Sequence, residues 1–438
     1  MRPIDFATPA LSRRRFLRGS ASVAGGVAAS SALMGAPAFA QGDAARDLWP
    51  SVAKLTEDWV GGDKIVNMVS VLGFGQEKSV VIASGPQTRG QSTPAGIDSL
   101  YRIYSMTKPI TGMAAMMLID EGKIGLDQPI AELIPAFANT KVKTSGGGTE
   151  KLARPITVRN LLTHTAGLGY AIPGSPGSSE YGEVGLTSGQ VTRLPIPGLS
   201  GGKSVQSLEE FADVLAKQPL IYQPGTRWSY STGLELLGRV IEIGSGMPFD
   251  QFLKSRIFEP CGMTSTYFQV PERDKSRLTT NYGSMGGNLI PLDPAVASIY
   301  LDKPPIYWGG SGLVSSPADY DAFLRMLLGL GEIDGKRVMS DAAVRLGTSN
   351  LLPEAVSTKG TWVDGEGFGA GGRVGLGERE GVYGWGGAAT TVAFVHFGAN
   401  LRAGMYTQLM VQGENKLQSA FPDAVEKDVS AMATANAA

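Results

Sequence analysis

The chain has 438 residues, 42% of them hydrophobic and 18% charged, enough for one large domain or two ordinary ones around a sizeable core. A formal net charge of −1 gives nucleic-acid binding no electrostatic support, so no nucleic-acid partner is expected. The single cysteine, Cys261, excludes an intramolecular disulfide and any cysteine-cluster metal site, and it reads as a small buried hydrophobe.

Residues 1–40 read as an export signal and not as part of the fold. Ser12-Arg13-Arg14-Arg15-Phe16-Leu17 is a twin-arginine motif. A weakly apolar Gly/Ala/Ser stretch follows, then Ala38-Phe39-Ala40 before Gln41. The stretch is too weakly apolar for a good membrane span, so no stable membrane anchor is expected. The twin-arginine export machinery is the expected partner of the precursor, and the mature chain is expected to be periplasmic or secreted. Removing the leader's five arginines and one aspartate leaves 34 basic and 39 acidic residues, a net of −5.

Residues 46–60 predict a helix with an irregular start at Pro50. IVNMVSVLGFG and KSVVIASG, rich in β-branched residues, predict an antiparallel hairpin across Gln76-Glu77. Ile110, Met113, Ala114, Met117 and Leu118 form an apolar stripe at helical spacing, closed by Gly122. Pro109 is tolerable only in the first turn, which places Ser105 at that helix's N-terminus. Residues 170–204 are rich in Gly, Pro and Ser and predict a long loop, either a pocket wall or a solvated surface. The loop ends at the capping box Ser207-x-x-Glu210. ATTVAFVHF and LRAGMYTQLMV predict a second hairpin, and a final helix follows from about Glu414.

Strands at both ends with helices between them predict an α/β (α+β) fold: one antiparallel sheet from both chain ends, flanked by helices. Residues 41–110 and 305–438 would form the sheet-containing part. Residues 111–304 would form a mainly helical middle region.

Three Ser-x-x-Lys matches occur, and only one opens an apolar helix. Ser51…Lys54 falls on the N-terminal helix as a solvated face, and Ser200…Lys203 lies in the Gly/Pro loop. Ser105-Met106-Thr107-Lys108 puts a hydroxyl and an amine on one helical face. A serine hydroxyl is a poor nucleophile until a base removes its proton. The chain has two histidines, so the candidate bases are Lys108 and a distant tyrosine, Tyr230, in QPGTRWSYSTGLELLGRVIE. Opposite unit charges about 4 Å apart attract by roughly 4 kcal/mol at an effective dielectric of ~20, enough for an ammonium to sustain a neighbouring phenolate. A neutral lysine acting as base fits the sequence equally well. Acyl transfer also needs donors for the developing oxyanion. The Ser105 amide is one candidate; another could come from Trp385-Gly386-Gly387-Ala388, where glycines admit close backbone approach.

Gly198-Leu199-Ser200-Gly201-Gly202 spells GxSxG, the α/β-hydrolase elbow, but Pro195 and Pro197 replace the strand that such an elbow needs. A triad there would need His164, read as a buried structural residue, or His396, which lies within a strand. Trp308-Gly309-Gly310 is read as packing beside the site. Tyr101 and Tyr104 flank Ser105; both read as core, and Tyr104 is also carried as a pocket candidate. No metal- or nucleotide-binding motif is present, so no cofactor is expected.

These motifs together resemble the serine β-lactamase and penicillin-binding-protein superfamily, and within it the class C-like (family VIII) carboxylesterases. LLTHTAGL (161–168), PGTRWSYS (224–231), LLGRVIE (236–242), GGSGLVSSPADYDAF (309–323) and YGWGG (383–387) carry the likeness over nearly all of the mature chain. The resemblance implies a β-lactamase/transpeptidase-like fold. It implies Ser105 as nucleophile with Lys108 as its partner, Tyr230 as the catalytic tyrosine, and Ser105 and Ala388 as oxyanion amides. Trp385-Gly386-Gly387 stands where β-lactamases carry Lys-Thr-Gly, and Thr232 stands where they carry an asparagine. Both departures remove polar handles for a penicillin. A carboxylesterase acting on a small-molecule ester is therefore expected. The alternatives are a β-lactamase, D-amino-acid peptidase or transacylase on the same machinery, or a non-catalytic binding protein.

Overall fold

The computed structural model describes residues 43–196, 203–411 and 416–437. The twin-arginine segment and Ser200 with its GxSxG lie outside them.

The predicted hairpin forms β1 (Met68–Phe74) and β2 (Val80–Ser84). At the other end of the chain come β3 (Gly367–Phe368), β4 (Arg373–Val374), β5 (Val382–Gly387), β6 (Thr391–His396) and β7 (Leu401–Tyr406). They make one antiparallel sheet in the order β3-β4-β5-β6-β7-β1-β2. The chain ends meet where β7 pairs with β1, Val71 opposite Gly404.

The central strands are buried on both faces, and their period of two divides them between two cores. Val69, Val71, Ala393 and Val395 face α6 (Pro317–Leu328), whose Tyr320, Phe323 and Leu327 fill that side. Met68, Leu72, Val392, Ala403 and Met405 face α1 (Pro50–Thr56) and α7 (Lys416–Ala437), through Val52, Leu417, Phe421 and Val425. Burying each such side chain stabilises the fold by about 1.5–3 kcal/mol.

Helix α2 (Thr107–Asp120) departs from the expected single stripe, being buried along one continuous run from Thr107 to Leu118. It passes through the middle of the molecule, between the sheet and a helical layer of α3 (Val158–Leu162), α4 (Leu208–Ala216) and α5 (Gly233–Ser245). A helix enclosed on all sides has no polar face to show.

The long loop contains a short helix, Ser178–Glu183, and the capping box before α4 is only half formed. Ser207 Oγ accepts from the Glu210 amide (3.0 Å), whereas the Glu210 carboxylate turns to the Gln206 amide (2.7 Å). The mainly helical middle also holds the hairpin Asn281–Met285 and Asn288–Asp293, joined by Leu409–Met410 from the C-terminal part. Among the described residues, no helix is long and apolar enough to cross a membrane.

Candidate active site

Ser105 lies in a single 3₁₀ turn, Tyr104–Met106, that feeds directly into α2. Tyr104 holds φ at +41°, a left-handed conformation that costs a non-glycine residue about 1–3 kcal/mol. The surrounding structure over-determines it. The buried Tyr104 ring meets the edge of Tyr300, and its hydroxyl accepts from Asn281 Nδ2 (3.1 Å). Just upstream, the fully buried Arg102 guanidinium pairs with the Asp293 carboxylate (2.5 Å).

One turn into α2, Lys108 is fully buried. Its Nζ donates to Ser105 Oγ (3.3 Å), to Tyr170 Oη (3.3 Å) and to the Gly310 carbonyl (2.7 Å). Tyr230, on the segment entering α5, donates its hydroxyl to Ser105 Oγ (2.8 Å). Lys108 Nζ also lies 4.6 Å from the centre of the Tyr230 ring, within cation–π range. Ser105, Lys108 and Tyr230, separated by up to 125 positions in sequence, thus converge on one hydroxyl.

Strand β5 supplies the third wall. Trp385 Nε1 donates to Tyr230 Oη (3.3 Å), so this tryptophan brings a hydrogen bond as well as apolar surface. The strand runs against the Ser105 turn so closely that a Cβ on Gly387 would lie 2.3 Å from the Ile103 carbonyl. Only glycine permits that approach. Gly386 is held from behind by α7, where a Cβ would meet Gln418 at 2.3 Å, and Ala388 is exposed at the strand's end.

Two expected pocket residues are not available to a ligand. Tyr104 is enclosed as described above. Thr232 is fully buried, its hydroxyl donating to the Gly169 carbonyl (3.4 Å), because α5 begins there and turns the side chain inward.

His164 is buried and serves the tyrosine. The Ser231 amide donates to Nδ1 (3.2 Å), which leaves the proton on Nε2, and the imidazole lies 4.7 Å from the Tyr230 ring, tilted by 57°. Burial, with the Lys108 charge adding to it, holds His164 well below the usual histidine range, so the ring is neutral. Trp308-Gly309-Gly310 does pack beside the site, where it offers Lys108 the Gly310 carbonyl.

Sequence reasoning missed several neighbours. Tyr170 bonds Lys108 from the loop after α3. Glu235 lies buried in the first turn of α5. Trp362 brings its ring to 5.0 Å from Tyr230 and 6.5 Å from Trp228. With Phe368 and Trp385 these rings form one aromatic cluster. The composition of WSYS and YGWGG was the available signal for the cluster. Nothing local marks Trp362 as its neighbour.

A seven-stranded antiparallel sheet closed by both chain ends, with a Ser-x-x-Lys helix buried beneath it, defines the β-lactamase/transpeptidase-like fold. The Beta-lactamase family profile matches residues 61–422, and the chain belongs to that family. It is similar to the Mycobacterium tuberculosis protein Rv1367c, 34% identical over 265 residues, 60% of this chain and 62% of that protein. It is also similar to the esterase EstB of Burkholderia gladioli, 31% identical over 212 residues, 48% of this chain and 49% of EstB. The chain thus spans less than two thirds of the length of either relative. Among solved structures it resembles EstCE1, described as a hydrolase with promiscuous acyltransferase activity. There the TM-score is 0.71 at 24% identity, over 89% of this chain and all of that one.

Proposed function

We propose that the protein is a serine ester hydrolase that works through an acyl-enzyme on Ser105. The observation that carries this reading is the double contact on Ser105 Oγ, by Tyr230 Oη at 2.8 Å and Lys108 Nζ at 3.3 Å. In the first half-reaction the base of this pair takes the Ser105 proton as Oγ attacks the ester carbonyl. The amides of Ser105 and Ala388 receive the developing oxyanion. The same proton then passes to the departing alkoxide, leaving the acyl group on Ser105. Water repeats the sequence in reverse roles and frees the acid.

The pocket chemistry favours an uncharged, apolar ester over a penicillin. Trp385 stands where a lactamase offers a cation to the lactam's carboxylate, and the aromatic cluster continues from it. The name of EstB agrees with this choice. For the precursor we propose twin-arginine export, testable by cell fractionation with Arg13→Lys and Arg14→Lys together; cytoplasmic retention is the expected result.

The test compares p-nitrophenyl butyrate with nitrocefin in wild type, Ser105→Ala and Ser200→Ala. Ester hydrolysis should vanish in Ser105→Ala and persist in Ser200→Ala. A fluorophosphonate should add its mass to Ser105 alone. Nitrocefin turnover far above ester turnover would move the assignment to a lactamase.

A further inference from the structure

Glu235 is a buried acid that the reaction outlined above does not use. It is 0% exposed, and neither carboxylate oxygen has a hydrogen-bond partner among the described residues apart from its own main-chain amide. An uncompensated buried carboxylate is costly, so its surroundings must supply the compensation. Two features of charge favour the ionised form. Glu235 sits in the first turn of α5, where the helix dipole favours an anion. It faces the Gly310 main chain, where a Cβ would lie only 2.3 Å from Oε1. The Gly310 carbonyl is the group that holds Lys108 Nζ at 2.7 Å. The chain therefore has a glycine where any side chain would wedge the carboxylate away from the lysine.

Two other titratable groups beside this pair are uncharged. Tyr170, on the loop after α3, is pushed well above its usual range by burial, with Glu235 adding to it. His164, at the end of α3, is neutral. Burial pushes the Glu235 carboxyl up, and the Lys108 charge opposes that.

We propose that Glu235 is a positioning residue whose buried carboxylate is the counter-charge of the Lys108 ammonium, so that Tyr230, and not a neutral lysine, takes the proton of Ser105. In this arrangement the lysine stays cationic, seated on Gly310 O and Ser105 Oγ. Once Tyr230 has lost its proton, its oxygen accepts from Trp385 Nε1 and from the serine, the reverse of the Tyr230-to-Ser105 bond in the structure. This inference rests on the Ser105 acyl-enzyme and decides between the two bases left open there.

The experiment is the pH profile of kcat/KM for p-nitrophenyl butyrate in wild type, Glu235→Gln and Glu235→Asp. Removing a negative charge makes both the phenolate easier to form and the ammonium easier to lose. In Glu235→Gln both limbs of the profile should move to lower pH, by about 1–2 units. Glu235→Asp should restore much of the wild-type profile. If only the acid limb falls and turnover at pH 7 rises, neutral Lys108 is the base and the proposal is overturned. A uniform loss at every pH, with a lower melting temperature and unmoved limbs, reduces Glu235 to a packing residue and also overturns it.

Should Glu235→Gln fail to fold, the Lys108 side chain is observed in the wild type by 15N-lysine NMR, assigned through Lys108→Arg. An ammonium persisting at pH 8 supports the proposal, and a neutral amine at pH 7 refutes it. Loss of the Ser105 adduct would overturn the acyl-enzyme reading instead, and the two failures are separable because they are read by different measurements.

Discussion

Tyr230→Phe isolates one oxygen in the proposed mechanism. The ring keeps its neighbours, with Tyr170 5.1 Å away edge-on, His164 at 4.7 Å and Trp362 at 5.0 Å, so the cluster should hold its shape. What disappears is the 2.8 Å contact on Ser105 Oγ. A positioned general base contributes about 10²–10⁴-fold, or roughly 3–5 kcal/mol of barrier. The variant should therefore lose about that factor in kcat for p-nitrophenyl butyrate, with KM within about threefold, because the oxygen acts on the proton and not on ester binding. The Trp385 N–H loses its acceptor in the same change, which costs stability by about 1–3 kcal/mol, measurable by urea unfolding. The assay is steady-state and stopped-flow hydrolysis across pH 6–10. A kcat within fivefold of wild type at every pH would refute the assignment and leave Lys108 acting alone.

Gly387→Ala should place its methyl against Ile103 O and Thr391 Oγ1 and push the end of β5 off the Ser105 turn. If Ala388 supplies an oxyanion donor, kcat should drop about 10²-fold or more, and near-normal turnover would remove that donor from the account. Trp362→Ala cuts back a partly buried wall of the aromatic cluster without touching Ser105. It should leave the protein folded and lower kcat/KM for aryl esters about 5–30-fold, with bulkier esters affected less; an unchanged preference would place the substrate elsewhere. His396, pushed by burial down to about 4, stays neutral in the folded protein while the unfolded chain takes up a proton near 6.5. Its share of stability is complete above about pH 6.5 and declines as pH falls toward 4, by about 3 kcal/mol at most. Urea midpoints at pH 7 and pH 4.5 should converge less in wild type than in His396→Gln.

Much of the site was legible because its signals are local. The Ser105–Lys108 spacing describes one helical turn, and Pro109 can stand only in the first turn of such a helix. The period-two hydrophobicity of the hairpins names which residues share a face. The Ser105 turn shows where such reasoning stops. A serine just ahead of a helix could open it directly or, as here, sit in a 3₁₀ turn held by Tyr104 at positive φ. That choice depends on Asn281, 177 residues further along the chain, and on Tyr300 beyond it. Thr232 was expected in the pocket because the family resemblance places it where β-lactamases carry an asparagine. The start of α5 rotates it inward, which no spacing reports.

The sequence by itself determined the one-turn spacing of Ser105 and Lys108, the main strands and helices, and the family likeness that joins Ser105 to Tyr230 and the β5 glycines. These follow from periodicity, capping and backbone freedom, all of which act over a few residues. The tertiary structure alone decided what surrounds Lys108: the Gly310 carbonyl, the Tyr170 hydroxyl, and the buried Glu235. A buried charge answers to whatever packs against it from any part of the chain. In water Glu235 would be one more solvated acid on a helix. Enclosed near Lys108, its protonation answers to the residues packed around it.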